Sequence, residues 1–189
     1  MRSSLLILLS ITTVAIADVR LWIPDAGTDG NLGGRTGADN FCNTDANKPV
    51  VAGSTTRAFI SVSAADEIQD MPTLYNIPTN ETIYRVDGTT VVASNFAALL
   101  NTGTTLLTNN VGTDLAYTGS TGTGAVNNTC NGWTDNNAAV FGTNGASFSK
   151  DNTYLTNGPN YPCDNVIYLY CMTYTPLAAS SAGTDITAW

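Results

Sequence analysis

Four cysteines, Cys42, Cys130, Cys163 and Cys171, and the complete absence of histidine set the chemistry open to this 189-residue chain. A thiol can serve as a nucleophile, a metal ligand or half of a disulfide. Nucleophilic use needs a neighbouring base, and without histidine the Ser-His-Asp and Cys-His arrangements and every His-ligated zinc site are excluded. No two cysteines are spaced as a CxxC pair, so a cysteine zinc site is disfavoured and two structural disulfides are expected. Sequence alone leaves three ways to pair them. Carboxylates need no histidine, and Asp66, Glu67 and Asp70 lie close together. A two-carboxylate glycosidase must hold its acids across a cleft at roughly 5 to 9.5 Å, whereas neighbours this close more simply cap a short helix. The sequence carries no enzyme signature, and the chain is read as non-catalytic.

Charge narrows the partners. Fifteen acidic against seven basic residues leave a formal net charge of −8, and no basic patch can outweigh that field. Nucleic acid and anionic membranes are excluded as partners on this ground. Charged residues make up only 12% of the chain, so Asn, Thr, Ser and Gly must form much of the surface. Met1-Arg2-Ser3-Ser4, an apolar run from Leu5 to Ile16 and the small-x-small end Ala15-Ile16-Ala17 have the layout of a cleaved signal peptide over residues 1–17. That run is too short to span a bilayer as a helix, so a secreted chain without membrane insertion is expected. The sequons at Asn80 and Asn127 are candidate glycosylation sites.

The elements that must position these residues follow from periodicity and punctuation. Val19 to Ile23 reads as a strand that ends at Pro24 and a glycine-rich segment. Ala38, Phe41, Cys42 and Ala46 recur at helical spacing, which predicts a helix over about 36–47 with Cys42 facing the core. Arg57 to Val62 reads as a strand, and Ser63 as the cap of a short helix through Ile68. Thr82–Val86 and Thr89–Val92 flank Asp87-Gly88, the dipeptide that a type I′ hairpin turn prefers. Ser94 is expected to cap a short helix over 95–100. Residues 101–162 read as long irregular loops, and Cys163 to Tyr174 as one central strand covered on both faces. A single domain over 18–174 follows, with a loose tail over 175–189.

In this order the motifs resemble a known family. Gly30-Asn31-Leu32-Gly33-Gly34 leading through Gly37-Ala38-Asp39 to Cys42 and Ala46, then Arg57-Ala58-Phe59-Ile60-Ser61, Val86-Asp87-Gly88, Thr129-Cys130-Asn131-Gly132-Trp133 and Leu169-Tyr170-Cys171, is similar to endostatin-like domains and to a related family of secreted bacterial domains. The resemblance spans roughly 19 to 174. It implies an α+β, C-type-lectin-like fold: a twisted antiparallel sheet, two helices, and long loops pinned by nested disulfides, Cys42 with Cys171 and Cys130 with Cys163. The histidine zinc site and the arginine-rich heparin surface of endostatins do not carry over, because the residues for them are missing.

On such a fold the long loops are where a ligand would bind. Trp133, Asp135, Asn136, Asn137 and Tyr154 are the candidate ligand-binding residues. Trp133-Thr134-Asp135-Asn136-Asn137 resembles the Trp-Asn-Asp element of calcium lectins, although the Glu-Pro-Asn or Gln-Pro-Asp triplet that accompanies it there is missing. No cofactor is expected; if calcium binds, Asp135 and Asn137 would hold it. Asp25, Asp29 and Asn31 form a second oxygen cluster, for which Asx turns between glycines are the simpler reading. The sequence therefore points to an adhesion module for an extracellular glycan or matrix-type protein. The alternative is a structural subunit that assembles with copies of itself, as a homo-oligomer, sheath, fibre or surface layer.

Overall fold

The computed structural model describes residues 18–100 and 107–177; the expected signal peptide and most of the expected tail lie outside the described residues. In chain order the elements are β1 (Val19–Trp22), α1 (Gly34–Thr44), β2 (Thr55–Ala58), α2 (Met71–Tyr75), β3 (Ile83–Tyr84), β4 (Val91–Ala93), α3 (Phe96–Leu99), β5 (Leu115–Tyr117), β6 (Phe141–Gly142), β7 (Asn144–Ala146), β8 (Tyr161–Pro162), β9 (Tyr168–Leu169) and β10 (Cys171–Tyr174). The chain is thus α+β, with short helices around small sheets. The main sheet runs β2-β10-β1-β3-β4, with β1 and β3 parallel and the other neighbours antiparallel.

Strand alternation divides the core at this sheet. Val19, Leu21, Met172 and Tyr174 face one cluster, with Phe59, Ile83, Val92 and Phe96. Trp22 and Cys171 face the other, with Ala38, Cys42, Ile60, Tyr117 and Trp133. Helix α1 presents Ala38 and Cys42 to this second cluster, and Cys42 is bonded to Cys171 in β10. Cys130 is bonded to Cys163, so the two bridges are nested. They close loops with sequence separations of 129 and 33 residues. In the chain-entropy picture such closures stabilise by about 5 and 4 kcal/mol.

One face of α1 acts as a substitute strand. Arg35, Asp39 and Asn43 recur at intervals of four, and together they occupy the outer edge of β2. Arg35 donates to the carbonyls of Ala58 and Ile60 (2.7 Å each), Asp39 accepts from the Ala58 N–H (2.9 Å), and Asn43 donates to the Thr56 carbonyl (2.9 Å). At the opposite edge, Thr108 N–H and the Asn109 amide donate to the carbonyls of Val92 and Val91 (2.8 and 2.9 Å). Several of the backbone groups that could template another strand are thus bonded internally at both edges.

Several local expectations change. Ser63 begins no helix: it closes a tight turn with Asp66, and the first helical residues come at Ile68–Asp70 and in α2, where Pro72 sits in the first turn. Arg35 explains the turn, because it holds the Asp66 carboxylate with both Nε and Nη2 (2.8 Å each). The hairpin forms, but not through a two-residue type I′ turn. Arg85 N–H donates to Thr90 O, so the loop spans Val86 to Thr89 and only Gly88 has positive φ. Asp87 organises that loop by accepting from Thr89 N–H, Thr90 N–H and the Thr90 hydroxyl (2.8, 2.8 and 2.7 Å). Asn95, not Ser94, caps α3. The expected single strand from Cys163 to Tyr174 is broken at Tyr170: β9 pairs with β5 in a second sheet, β7-β5-β9, while β10 joins the main one. Tyr170 is fully buried, its carbonyl accepting from Phe59 N–H and its hydroxyl donating to Tyr154 O, so the strand switches sheets there.

Candidate functional site

The loops expected to bind a ligand are built around buried aromatics. Trp133 is fully buried; its indole N–H donates to Ser61 O (2.8 Å) and its ring meets Tyr117 edge-on at 5.4 Å. Tyr154 is also fully buried, donating to Leu99 O (2.6 Å). These two leave the ligand-binding set: in a domain of short strands the large rings fill the spaces that regular elements leave. Burial pushes the hydroxyls of Tyr154 and Tyr117 well above the ordinary tyrosine value, so both stay neutral donors. Trp133 ends a left-handed turn in which Cys130, Asn131, Gly132 and Trp133 all have positive φ (50° to 69°). Three of these are not glycine, a conformation that needs firm support from its surroundings. The Cys130–Cys163 bridge, the Trp133 anchor and Thr129, whose hydroxyl accepts from Gly132 N–H (3.1 Å), supply it.

Asp135, Asn136 and Asn137 lie beyond this turn, partly or fully exposed, and each makes side-chain hydrogen bonds within the loops. Asp135 accepts from the Asn131 amide and from Asn137 N–H (2.7 and 2.8 Å), Asn137 accepts from Ala139 N–H (2.8 Å), and Asn136 donates to Asp29 (3.0 Å). Asp29 also accepts from Asn31 N–H (2.9 Å), the Asx turn that its sequence suggests. Among the described residues, no group of three or more His, Cys, Asp or Glu could hold a metal ion. The acidic trio is dispersed in role too: Asp66 is paired with Arg35, while Glu67 accepts from Val126 N–H (2.8 Å) and from the Gln69 amide. Asn80 and Asn127 are both exposed.

A groove that sequence reasoning did not single out lies on another face, where β1, the hairpin and the approach to β5 converge. It encloses about 300 Å³ and is walled by Trp22 to Asp25, Asn47, Val86, Val111 to Asp114, and Tyr168 of β9. Its polar groups are the Asp25 and Asp114 carboxylates, the Asn47 amide and the Thr113 hydroxyl; Tyr168 is its half-buried aromatic.

Each wall is held from behind. Asp45 accepts from Asp25 N–H (3.1 Å) and Asn47 N–H (2.8 Å), which brings the Asn47 amide against the Asp25 carboxylate. Arg20, paired with Asp18 at 2.7 Å, donates to Val86 O (2.9 Å) and fixes the hairpin wall. Ser147 fixes the third wall: its carbonyl accepts from Val111 and Gly112 N–H, and its hydroxyl from Asp114 N–H (2.9 Å). Gly112 is required there, since a Cβ would lie 2.9 Å from both Ile23 and the Ser147 hydroxyl. A planar aromatic, two carboxylates and an amide on a rigid frame suit a hydroxyl-rich ligand, with the ring under its C–H face and the planar polar groups along its hydroxyls. The signal in the sequence was slight: Asp25 stood in an oxygen cluster with Asp29 and Asn31, and Gly112-Thr113-Asp114 lay in a stretch read as irregular loops.

A profile of the family described as "Protein of unknown function (DUF1554)" matches residues 25–150, well over half of the chain. That span includes α1, the hairpin, the left-handed turn and, of the groove, Asp25, Asn47, Val86 and Val111 to Asp114 but not Tyr168. A comparison with curated proteins finds no match.

Proposed function

The chain belongs to the DUF1554 family, and from that premise we propose that it is a secreted, non-catalytic binding module that takes an extracellular glycan in the groove beside Tyr168. One observation carries the reading: the groove gathers Asp25, Asn47, Asp114 and Tyr168 around about 300 Å³ of open space, with each wall braced by buried or paired groups. The two disulfides point to an extracellular or periplasmic environment, where such bonds persist. Among the described residues, no helix is long and apolar enough to cross a membrane. The finer reading of the fold is C-type-lectin-like, supported by the pairing of β1 with β10 and the nested bridges around a loop-rich middle. In this reading the groove side chains contact the glycan directly, with no bridging calcium ion. A structural subunit is the second reading, and the occupied edges of the main sheet weigh against its simplest form, strand addition.

The test is a glycan array probed with the protein made through an oxidising secretory route, with calcium and with chelator. Signal in both conditions, weakened by Tyr168→Ala and by Asp114→Ala in a folded protein, is the expected result. Signal lost only to chelator moves the site to Asp135 and Asn137. Silence from a folded multimer replaces the binding reading with the assembly reading.

A further inference from the structure

The groove does not end at Tyr168. Asp114 and Tyr168 also line a second depression of about 280 Å³, which continues past them between Leu115 and the pair Val166–Ile167. The two halves of this trough differ in chemistry. The first holds Asp25, Asn47, Thr113 and Asp114; the second is walled by Leu115, Val166 and Ile167, with the shared Asp114 as its one carboxylate. Val166 is 70% exposed. An isolated exposed valine is ordinary, but this one is held in place beside other apolar atoms. Gly27 packs beneath it so closely that a Cβ there would lie 2.9 Å from the Val166 Cγ1, and Thr28 exchanges backbone hydrogen bonds with Ile167 in both directions (2.7 and 3.1 Å). The apolar half is therefore a formed surface that shares Asp114 and Tyr168 with the polar half.

From this continuity, and resting on the groove reading above, we propose that the ligand is a glycan unit bearing an apolar substituent. The sugar lies over Tyr168 among Asp25, Asn47 and Asp114, and an alkyl, acyl or aryl group lies along Leu115, Val166 and Ile167. Each methylene removed from water into such a surface tightens binding by about fourfold when fully buried. The trough is open, so a short alkyl chain gains only part of that.

Paired methyl and n-butyl β-glycosides of glucose, galactose, mannose and N-acetylglucosamine are the probes, titrated against the secreted protein and followed by NMR. For the sugar that binds, the butyl glycoside is expected to bind about tenfold more tightly than the methyl glycoside. In Val166→Asp the butyl advantage disappears while the affinity of the methyl glycoside holds. Val166 is exposed, and an unchanged melting curve confirms that the variant folds. Equal affinities within a pair that does bind overturn this inference and leave the groove reading standing. A butyl advantage that survives Val166→Asp overturns it too, because the gain then lies elsewhere. No binding by any pair removes the groove reading and this inference together.

Discussion

Two polar patches on this protein are built from the same residue types and do opposite things. Around the left-handed turn, Asp29, Asp135, Asn131, Asn136 and Asn137 bond to one another and to nearby backbone N–H groups. Around the groove, the Asn47 amide donates to Asp25 and the Thr113 hydroxyl to Asp114 (2.7 Å), yet these side chains line open space and their backbones are fixed by Asp45 and Ser147 behind the wall. A carboxylate that terminates a turn is structural; one whose backbone is fixed by a different residue is left to face a ligand. Composition cannot separate the two cases, because what differs is which atom does the holding.

The comparison breaks most severely at its foundations. Trp133→Ala removes a fully buried indole and its bond to Ser61 and should cost about 3–5 kcal/mol, read as a large drop in the urea midpoint with collapse of the left-handed turn. Replacing Cys130 and Cys163 together by alanine should cost about 4 kcal/mol for a bridge with a separation of 33 residues, and thermal melting checks it. Tyr168→Ala tests the other patch. Glycan affinity should fall about tenfold, close to 1.4 kcal/mol, while the melting temperature falls far less than for Trp133→Ala, since Tyr168 is only partly buried against the core; a matched loss of both would make Tyr168 structural and erase the contrast. Asp135→Ala should show the reverse pattern, with stability lower by about 1 kcal/mol for its lost turn contacts and glycan binding unchanged with or without calcium.

The smallest effect is a pH response. Asp87 accepts three hydrogen bonds within the hairpin loop, and these hold its carboxyl well below the ordinary value of 3.8. A carboxyl lowered in the folded state stabilises that state fully above its unfolded value, and the contribution is lost as pH falls through the lower folded value. Protection of the Thr89 and Thr90 amides, relative to their intrinsic exchange rates, should therefore fall below about pH 4, and Asp87→Asn should remove that pH dependence. Since Arg20 ties the same loop to the groove through Val86, glycan affinity should weaken over the same acid range.

Much of the scaffold was legible as pattern. Cysteine number and the absence of histidine bounded the chemistry, because they are statements about which groups exist at all. Helical spacing placed Ala38 and Cys42 inside, because a single periodicity suffices when one face is buried, and Val19 to Ile23 announced a strand that Pro24 stops. The polar repeat of Arg35, Asp39 and Asn43 was equally visible as spacing, yet nothing local reveals that it meets a strand edge. The same holds for the aromatics: Trp133 and Tyr154 read as loop residues, and only packing shows them as core.

Sequence by itself thus determined the inventory: the disulfide-forming set, the acidic balance, the approximate strands and α1, and the chemistry excluded by missing residues. Tertiary structure alone decided where the chain switches sheets at Tyr170, which carboxylates close turns, and that Asp25, Asn47, Asp114 and Tyr168 share a groove. The reason is separation along the chain. Those four residues come from four segments, and contacts between distant segments are set by how the whole core packs, whereas local pattern reports only on neighbours within a few residues.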